Sequence, residues 1–225
     1  MGLAGVDGCR GQWLAAIESA DKIVTWRLVP TFRDLYDDSS LSVIAVDVPI
    51  GLPESGVRAC DVAARAAVGA RRSSVFAAPV RPVLGCQTYA EAREVLALAG
   101  GPSMSAQAFG IVATVRDVDD CVGPEDDERI VETFPELAFH LLAGGAVSGK
   151  RTAAGVAERI RALTSWRADV VDLLTLVPSG VPIDDALDAL ACLWSAQRWA
   201  AGERRTLGDG ARDARHLPMR VAPAP

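Results

Sequence analysis

The stretch Leu3-Ala4-Gly5-Val6-Asp7-Gly8 opens the chain with a short apolar run that ends in an aspartate and a glycine. Such a run is typical of a buried strand closed by a turn. Two further strands are predicted at residues 13–17 and 23–29, and a short helix is predicted at 31–36. The apolar run that ends in Asp47 is typical of a strand buried on both faces. This order of elements predicts an α/β fold built on a mixed sheet whose later strands are parallel.

The composition of the chain excludes several classes of protein. Its 225 residues are 50% hydrophobic and 23% charged, with a net charge of −6, which excludes a largely disordered chain and a histone-like polycation. Two histidines are too few for a histidine-rich metal cage, so oxygen ligands would hold any metal. The five widely spaced cysteines include no Cys-x-x-Cys pair and indicate neither a zinc knuckle nor a disulfide framework. Because the sequence shows no signal peptide and no run of roughly 18 apolar residues, we expect a soluble, cytoplasmic protein without membrane contact.

The chain is predicted to form a single domain over residues 1–225. An insertion of helices and loops is expected at about 49–127, between the fourth strand and a further strand near 128–133. The tail at about 202–225 is polar, and Arg220-Val221 within it is predicted as an edge strand. Helices are also predicted at 135–143, 152–163 and 183–200.

Two aspartates follow buried strands at the point where each strand ends. Asp7 comes after Gly5-Val6, and Asp47 comes after Ala45-Val46. In sheets of this class, ligands collect at the carboxyl ends of the strands, where an aspartate can bind a cation. The alternative is that each side chain accepts hydrogen bonds from the N–H groups of a turn.

A third group of carboxylates lies on the predicted helix at 183–200. At about 100° per residue, Asp184, Asp185 and Asp188 fall within one arc off the apolar face of that helix. The helix dipole accounts for acids in the first turn but less well for Asp188, which lies deeper. Asp7, Asp47, Asp185 and Asp188 together form an all-oxygen set suited to Mg²⁺ or Mn²⁺. The set would bind one or two ions, and two such ions about 3.5–4 Å apart can activate water and stabilise the leaving oxygen of a phosphodiester.

Two glutamates flank Pro135, where a predicted strand meets a helix. Glu132 and Glu136 are candidates to extend the metal site or to act as a general base. The alternative interpretation is a polar residue at a strand end and an acidic residue in the first turn of a helix.

Basic and hydroxyl residues provide candidate contacts to phosphate. One group is Arg71, Arg72, Ser73 and Ser74, whose alternative role is a solvated helix end, and Arg10 close to Asp7 is another candidate. The stretch 144–151 nearly matches a phosphate-binding loop, but Arg151 occupies the position of the required hydroxyl and a predicted helix precedes it. We therefore expect no nucleotide loop there, although Lys150 remains a candidate contact to a polyanion.

Seven stretches in order along residues 3–200 carry a resemblance to a known family. They are Gly5-Val6-Asp7-Gly8-Cys9-Arg10-Gly11-Gln12-Trp13, Ala45-Val46-Asp47-Val48-Pro49-Ile50-Gly51-Leu52-Pro53, Arg58-Ala59-Cys60-Asp61, Arg71-Arg72-Ser73-Ser74-Val75-Phe76, Ser105-Ala106-Gln107-Ala108-Phe109-Gly110-Ile111, Glu132-Thr133-Phe134-Pro135-Glu136-Leu137-Ala138-Phe139 and Asp184-Asp185-Ala186-Leu187-Asp188-Ala189-Leu190-Ala191. With them the chain resembles family 429 of domains of unknown function, predicted nucleases of the ribonuclease H-like superfamily. Gln12 and Phe109 depart from the glycine and tryptophan expected at their positions.

The resemblance implies a fold and a set of site residues. The fold is a central five-stranded mixed sheet, its first three strands antiparallel, flanked by helices. The implied carboxylates lie on the first strand, the fourth strand and the last helix, at Asp7, Asp47, Asp185 and Asp188. The closing Asp-x-x-Asp-Ala-x-Ala looks like the helix of Holliday-junction resolvases, which implies a nucleic-acid substrate.

The sequence therefore predicts a metal-dependent nuclease that hydrolyses phosphodiester bonds in DNA or RNA. The net charge of −6 argues against broad nonspecific binding of DNA, so local arginines or a small structured substrate would have to compensate. One alternative is an actin-like nucleotide phosphotransferase or ATPase, a fold that usually needs a second copy of the domain. Another is a non-catalytic partner-binding protein that keeps the site as an ion-stabilised feature.

Overall fold

Five strands form one open sheet in a computed structural model that describes residues 1–100 and 104–222, without the side chains of Ala70, Ser73 and Ser74. Their order across the sheet is β3-β2-β1-β4-β5. The strands are β1 (Gly2–Cys9), β2 (Gln12–Glu18), β3 (Val24–Val29), β4 (Leu41–Val46) and β5 (Ile130–Glu132). The predicted α/β fold with a five-stranded mixed sheet is thereby confirmed.

The strand directions bring three carboxyl ends to one edge of the sheet. β1 pairs antiparallel with β2, which pairs antiparallel with β3. β4 runs parallel to β1, and β5 runs parallel to β4. In this register Val6 pairs with Val46, and Val46 pairs with Glu132. Asp7 and Asp47 therefore follow directly on paired residues of neighbouring strands.

Helices flank the sheet and fill the connections. They are α1 (Arg33–Tyr36), α2 (Ala59–Ala67), α3 (Tyr89–Ala99), α4 (Ala106–Phe109), α5 (Val112–Asp119), α6 (Pro135–Ala143), α7 (Ala153–Trp166), α8 (Val170–Thr175) and α9 (Ile183–Ala200). The predicted bounds of α6 and α9 are confirmed, whereas α4, α5 and α8 were not individually predicted from the sequence. Among the described helices, none combines the length and the apolarity that crossing a membrane requires.

The longest of these helices, α9, lies across one face of the sheet. It packs on β1, β4 and β2, and α6 and α7 pack against it from outside. The backbones of α9 and β1 come unusually close at Gly5, where an added Cβ would lie 1.9 Å from the Leu193 nitrogen. On the opposite face, Phe32 and Leu35 join Val115 from α5 in a second apolar cluster. Both faces of the central strands are thus covered, as their apolar sequences require.

The insertion between β4 and β5 is attached to the sheet by buried charges. Arg58, just before α2, is fully buried and binds Asp61 and Glu132, each at 2.6 Å. Removal of one partner from a buried ion pair of this kind strongly destabilises the folded protein. Buried charges therefore anchor the insertion to β5 at Glu132.

The C-terminal segment, predicted as a polar tail, folds back over the insertion. The Asp213 carboxylate accepts hydrogen bonds from the backbone nitrogens of Leu52 and Leu217, both at 2.9 Å. Val221 and Ala222 are buried. At the predicted edge strand Arg220-Val221, Val221 forms an isolated antiparallel bridge to Leu207, and the next residue, Ala222, forms an isolated parallel bridge to Thr133 beyond β5. Apolar residues near the end of the segment reach the core, which its average polarity concealed.

Candidate active site

A cavity of about 690 Å³ opens at the carboxyl ends of β1 and β4. Its lining includes three aspartates that are far apart in sequence: Asp7, Asp47 and Asp188. They come from a strand, a loop and a helix respectively. The parallel arrangement of β1 and β4 and the packing of α9 across them bring these three carboxylates to one place.

Each aspartate is positioned by local structure that the sequence dictates. Asp7 lies near the end of β1, and its Oδ1 accepts a hydrogen bond from the Gly8 nitrogen at 2.8 Å. Asp47 follows β4, and its backbone nitrogen continues the pairing by donating to the Val6 oxygen at 3.1 Å. Asp188 lies in the second turn of α9 and is only 4% exposed. The next residue, Ala189, has its carbonyl oxygen packed against Gly5. The close contact at Gly5 therefore places Asp188 beside the ends of the strands.

The three carboxylates carry more negative charge than their surroundings neutralise. Burial, followed by the charges of Asp188 and Asp47, raises the pKa of Asp7 well above its usual range. Burial and the charge of Asp188 raise the pKa of Asp47 to about 8. Burial also raises the pKa of Asp188 to about 6, although Lys150 opposes that rise. Carboxylates so placed favour either protons or a bound cation.

Lys150 lies inside this carboxylate cluster. Its Nζ is 2.8 Å from Asp188 Oδ2 and 3.9 Å from Asp184 Oδ2. Burial lowers the pKa of Lys150, but the carboxylates of Asp188, Asp7 and Asp47 outweigh burial and raise it. The sequence offered Lys150 only as a contact to a polyanion, whereas in the fold its ammonium group pairs with a candidate metal ligand.

The two aspartates predicted on α9 occupy different positions. Asp188 lines the cavity, and Asp185 is not among the lining residues. Asp185 lies near the Cys9 thiol, and the Asp185 charge raises the pKa of Asp7. Asp185 is thus a neighbour of the cluster but not a lining residue of the cavity.

The two predicted glutamates also separate. Both oxygens of Glu132 bind Arg58, at 2.6 and 2.7 Å, and one also accepts from the Ile50 nitrogen at 2.7 Å. Glu132 does not line the cavity, so its contacts are those of a structural ion pair rather than of a metal ligand or base. Glu136 does line the cavity, with Oε1 2.8 Å from Arg159 and 3.3 Å from Arg71.

Four basic side chains line the same cavity: Arg10, Arg71, Lys150 and Arg151. Arg10 and Gly11 form a two-residue connection in which both φ angles are positive, at 51° and 79°, as a tight hairpin requires. This turn brings Arg10 to the cavity beside Asp7. The structure does not bring every predicted phosphate contact there: Arg72 is exposed and is not a lining residue, and the Ser73 and Ser74 side chains lie outside the described residues.

Residues from the insertion form a wall of the cavity that the sequence did not predict. They include Phe76, Gln107, Ile111 and Thr114. The Phe76 side chain remains 41% exposed despite its apolar ring. Phe76 and Gln107 stand within two of the family-like stretches, which was the available signal, but no chemistry distinguished them before the wall was seen.

The chemistry of the cluster fits a hard divalent cation. All of its candidate ligands are carboxylate oxygens, the donors that Mg²⁺ and Mn²⁺ prefer. Their raised pKa values show that bound positive charge would be stabilised. Within residues 1–100 and 104–222, however, no group of three or more acidic, histidine or cysteine side chains is already arranged to hold an ion. The fit therefore rests on donor type and charge.

Comparison with known proteins identifies the family. A model of a family described as a protein of unknown function (DUF429) matches residues 5–212. Neither the curated proteins nor the solved structures contain a significant match. The match includes β1, β4, the insertion and α9, and with them Asp7, Asp47 and Asp188. The chain therefore belongs to the DUF429 family of proteins of unknown function.

Proposed function

We propose that this chain is a metal-dependent hydrolase of nucleic-acid phosphodiester bonds and a member of the ribonuclease H-like superfamily. The observation that carries the proposal is the convergence of Asp7, Asp47 and Asp188 on one cavity at the carboxyl ends of parallel strands. On one side of β1 lie β2 and β3, each antiparallel to its neighbour, and on the other side lie the parallel strands β4 and β5. This sheet order supports the superfamily.

Asp7 and Asp47 would hold a Mg²⁺ or Mn²⁺ ion. When bound, such an ion acts as a Lewis acid on a phosphoryl oxygen and lowers the pKa of water. Asp188 and Lys150 line the cavity beside these ligands. The positive charge of Lys150 would offset the negative charge of a phosphate bound there. Burial of these groups strengthens their interactions, because a site with little water screens charge weakly.

The distribution of basic groups supports a polyanionic substrate. The whole chain has a net charge of −6, yet Arg10, Arg71, Lys150 and Arg151 all line this cavity. Phosphate contacts from these side chains would be local rather than spread over a surface. The exposed Phe76 ring, which lines the same cavity, offers a face on which a base can stack. A nucleic acid with a short or structured contact region suits this arrangement.

The alternatives predict different binding behaviour. An actin-like phosphotransferase would bind ATP with Mg²⁺ at micromolar concentration, but the described residues form a single five-stranded sheet rather than two copies. A non-catalytic protein would be stabilised by metal while every hydrolase assay stayed negative.

Cleavage assays with matched variants test the proposal. Purified protein with Mn²⁺ or Mg²⁺ is incubated with single-stranded and double-stranded DNA, RNA and a branched junction. We expect cleavage of at least one substrate, and we expect Asp47→Asn to lower its rate by about 100-fold or more, because it removes a carboxylate that would hold the metal ion. Asp172→Asn, at an exposed position in α8, is the matched control and should cleave at the wild-type rate. Failure to cleave any substrate, or full activity of Asp47→Asn, would overturn the proposal.

A further inference from the structure

Lys150 stands where a two-metal site would be expected to hold a cation. Resting on the function proposed above, we propose that Lys150 replaces a second metal ion: the site takes one divalent ion, held by Asp7 and Asp47, and the ammonium group of Lys150 is its fixed second cation beside Asp188. The sequence left the number of ions open, and the placement of Lys150 supplies the reason for a single one.

The ion pair of Lys150 is close, and its acidic partner is buried, although the Lys150 side chain itself is 38% exposed. Its Nζ lies 2.8 Å from Asp188 Oδ2, and the Asp188 side chain is 5% exposed. Asp184 adds a second carboxylate at 3.9 Å. A charge buried to this extent is costly when it loses its partner. Asp188 is therefore a poor ligand for a metal ion as long as Lys150 remains bound to it.

The loop that carries Lys150 is held on both sides. The Ser148 nitrogen and Oγ donate to the Glu158 carboxylate at 2.5 and 2.9 Å, and Arg159 donates to the Ser148 oxygen at 2.7 Å. Behind the loop, an added Cβ at Gly155 would lie 2.1 Å from the Gly149 oxygen, so the loop packs directly on the first turns of α7. These contacts fix the backbone that leads directly into Lys150, as a resident counter-charge requires.

The charges of the cluster formed by Asp7, Asp47, Asp188 and Lys150, counted apart from Arg10 and Arg151 on the cavity wall, match one divalent ion. Asp7, Asp47 and Asp188 contribute −3 and Lys150 contributes +1, which leaves −2. The fourth lining carboxylate, Glu136, is already paired with Arg159 and Arg71. One divalent ion balances the remaining charge. A second would leave an excess of positive charge and would compete with Lys150 for Asp188.

The experiment counts bound ions in solution. Metal-free protein is titrated with Mn²⁺ by isothermal calorimetry, and electron paramagnetic resonance detects magnetic coupling between neighbouring ions. We expect one Mn²⁺ per wild-type chain and no coupling. Lys150→Met keeps the length of the side chain but removes its charge, and we expect two coupled ions. Lys150→Arg keeps the charge and should bind one ion. Arg151→Met removes the neighbouring exposed charge of the same loop and should also bind one.

The outcomes separate this inference from the proposed function. Two ions in the wild-type chain, or one ion in Lys150→Met that retains its fold by circular dichroism, would overturn the inference and leave the hydrolase proposal standing. Absence of Mn²⁺ binding to the wild-type chain would overturn both. The wild-type count requires no variant to fold, so the inference stays testable if Lys150→Met is unstable.

Discussion

Substitution of Gly5 by alanine tests the contact on which the geometry of the site depends. An alanine Cβ at this position would lie 1.9 Å from the Leu193 nitrogen, 2.3 Å from the Ala189 oxygen and 2.6 Å from the Cys192 carbonyl carbon. All three atoms belong to the backbone of α9, so no side chain can rotate to make room. To restore a separation above 3.0 Å, α9 and β1 must move apart as whole elements.

The expected cost follows from the size of that movement. Inserting a methyl group into a packed core typically costs about 1–3 kcal/mol, and backbone clashes fall at the upper end. We expect Gly5→Ala to lower the free energy of unfolding by about 3 kcal/mol or more. For a chain of this size, that loss corresponds to a fall in Tm of about 6–12 °C. The same displacement carries Asp188 away from Asp7 and Asp47, so Mn²⁺ should stabilise the variant less than the wild type.

Urea unfolding and thermal melting measure both effects. Gly85→Ala is the matched control, because no atom lies within 4 Å of its added Cβ and its φ is not positive. We expect the control to unfold within about 0.5 kcal/mol of the wild type. A Gly5→Ala protein that is equally stable and equally stabilised by Mn²⁺ would refute the reasoning that a backbone contact between α9 and β1 positions the site.

Three further predictions concern charge. Because burial and Asp188 raise the pKa of Asp47 from 3.8 to about 8, the folded state keeps a proton that the unfolded chain has lost. The free energy of unfolding of metal-free protein, measured in urea titrations, should therefore fall from pH 4 to pH 8. The fall should be less steep in Asp47→Asn, and an equal slope in the variant and the wild type would contradict this. Arg58→Met should lower the free energy of unfolding in urea by about 3–5 kcal/mol, since it leaves buried carboxylates unpaired. Arg72→Met, at an exposed position, should leave that free energy unchanged, and equal effects of the two substitutions would be inconsistent with the buried ion pair. Mg²⁺ at 100 times its Kd should raise the free energy of unfolding of the wild type by about 2.7 kcal/mol. The same concentration should not stabilise Asp7→Asn, and equal gains in the two proteins would exclude Asp7 as a ligand.

The metal-ligand prediction depended on features that periodicity and strand order make visible. Asp7 and Asp47 end apolar runs whose parallel pairing follows from the order of the elements. Asp188 falls off the apolar face of a helix whose bounds were predicted correctly. Local pattern did not separate Asp188 from Asp185, because both lie within one arc of the helix. The crossing of α9 over β1 at Gly5 places Asp188 on the cavity wall and leaves Asp185 beside Cys9.

Other residues acquired their partners only in the folded chain. Glu132 has the sequence context of a strand-end ligand, but both its oxygens bind Arg58, 74 positions earlier in the chain. Lys150 stands in a stretch that nearly matches a nucleotide loop, yet its partner Asp188 is 38 positions further on. Phe76 reaches the cavity because the insertion contributes to its lining. None of these pairings leaves a periodic or spacing signal, since each joins distant segments.

The amino-acid sequence by itself determined the α/β class, the strands that end in Asp7 and Asp47, and the helix that carries Asp188. It could do so because strands buried on both faces form continuous apolar runs and a partly buried helix shows an apolar repeat of 3.6 residues. Only the tertiary structure decided which acids line the cavity, which are neutralised by buried arginines, and that Lys150 stands among them. Those outcomes depend on distances between segments far apart along the chain, which are set by how helices and strands pack rather than by any local preference.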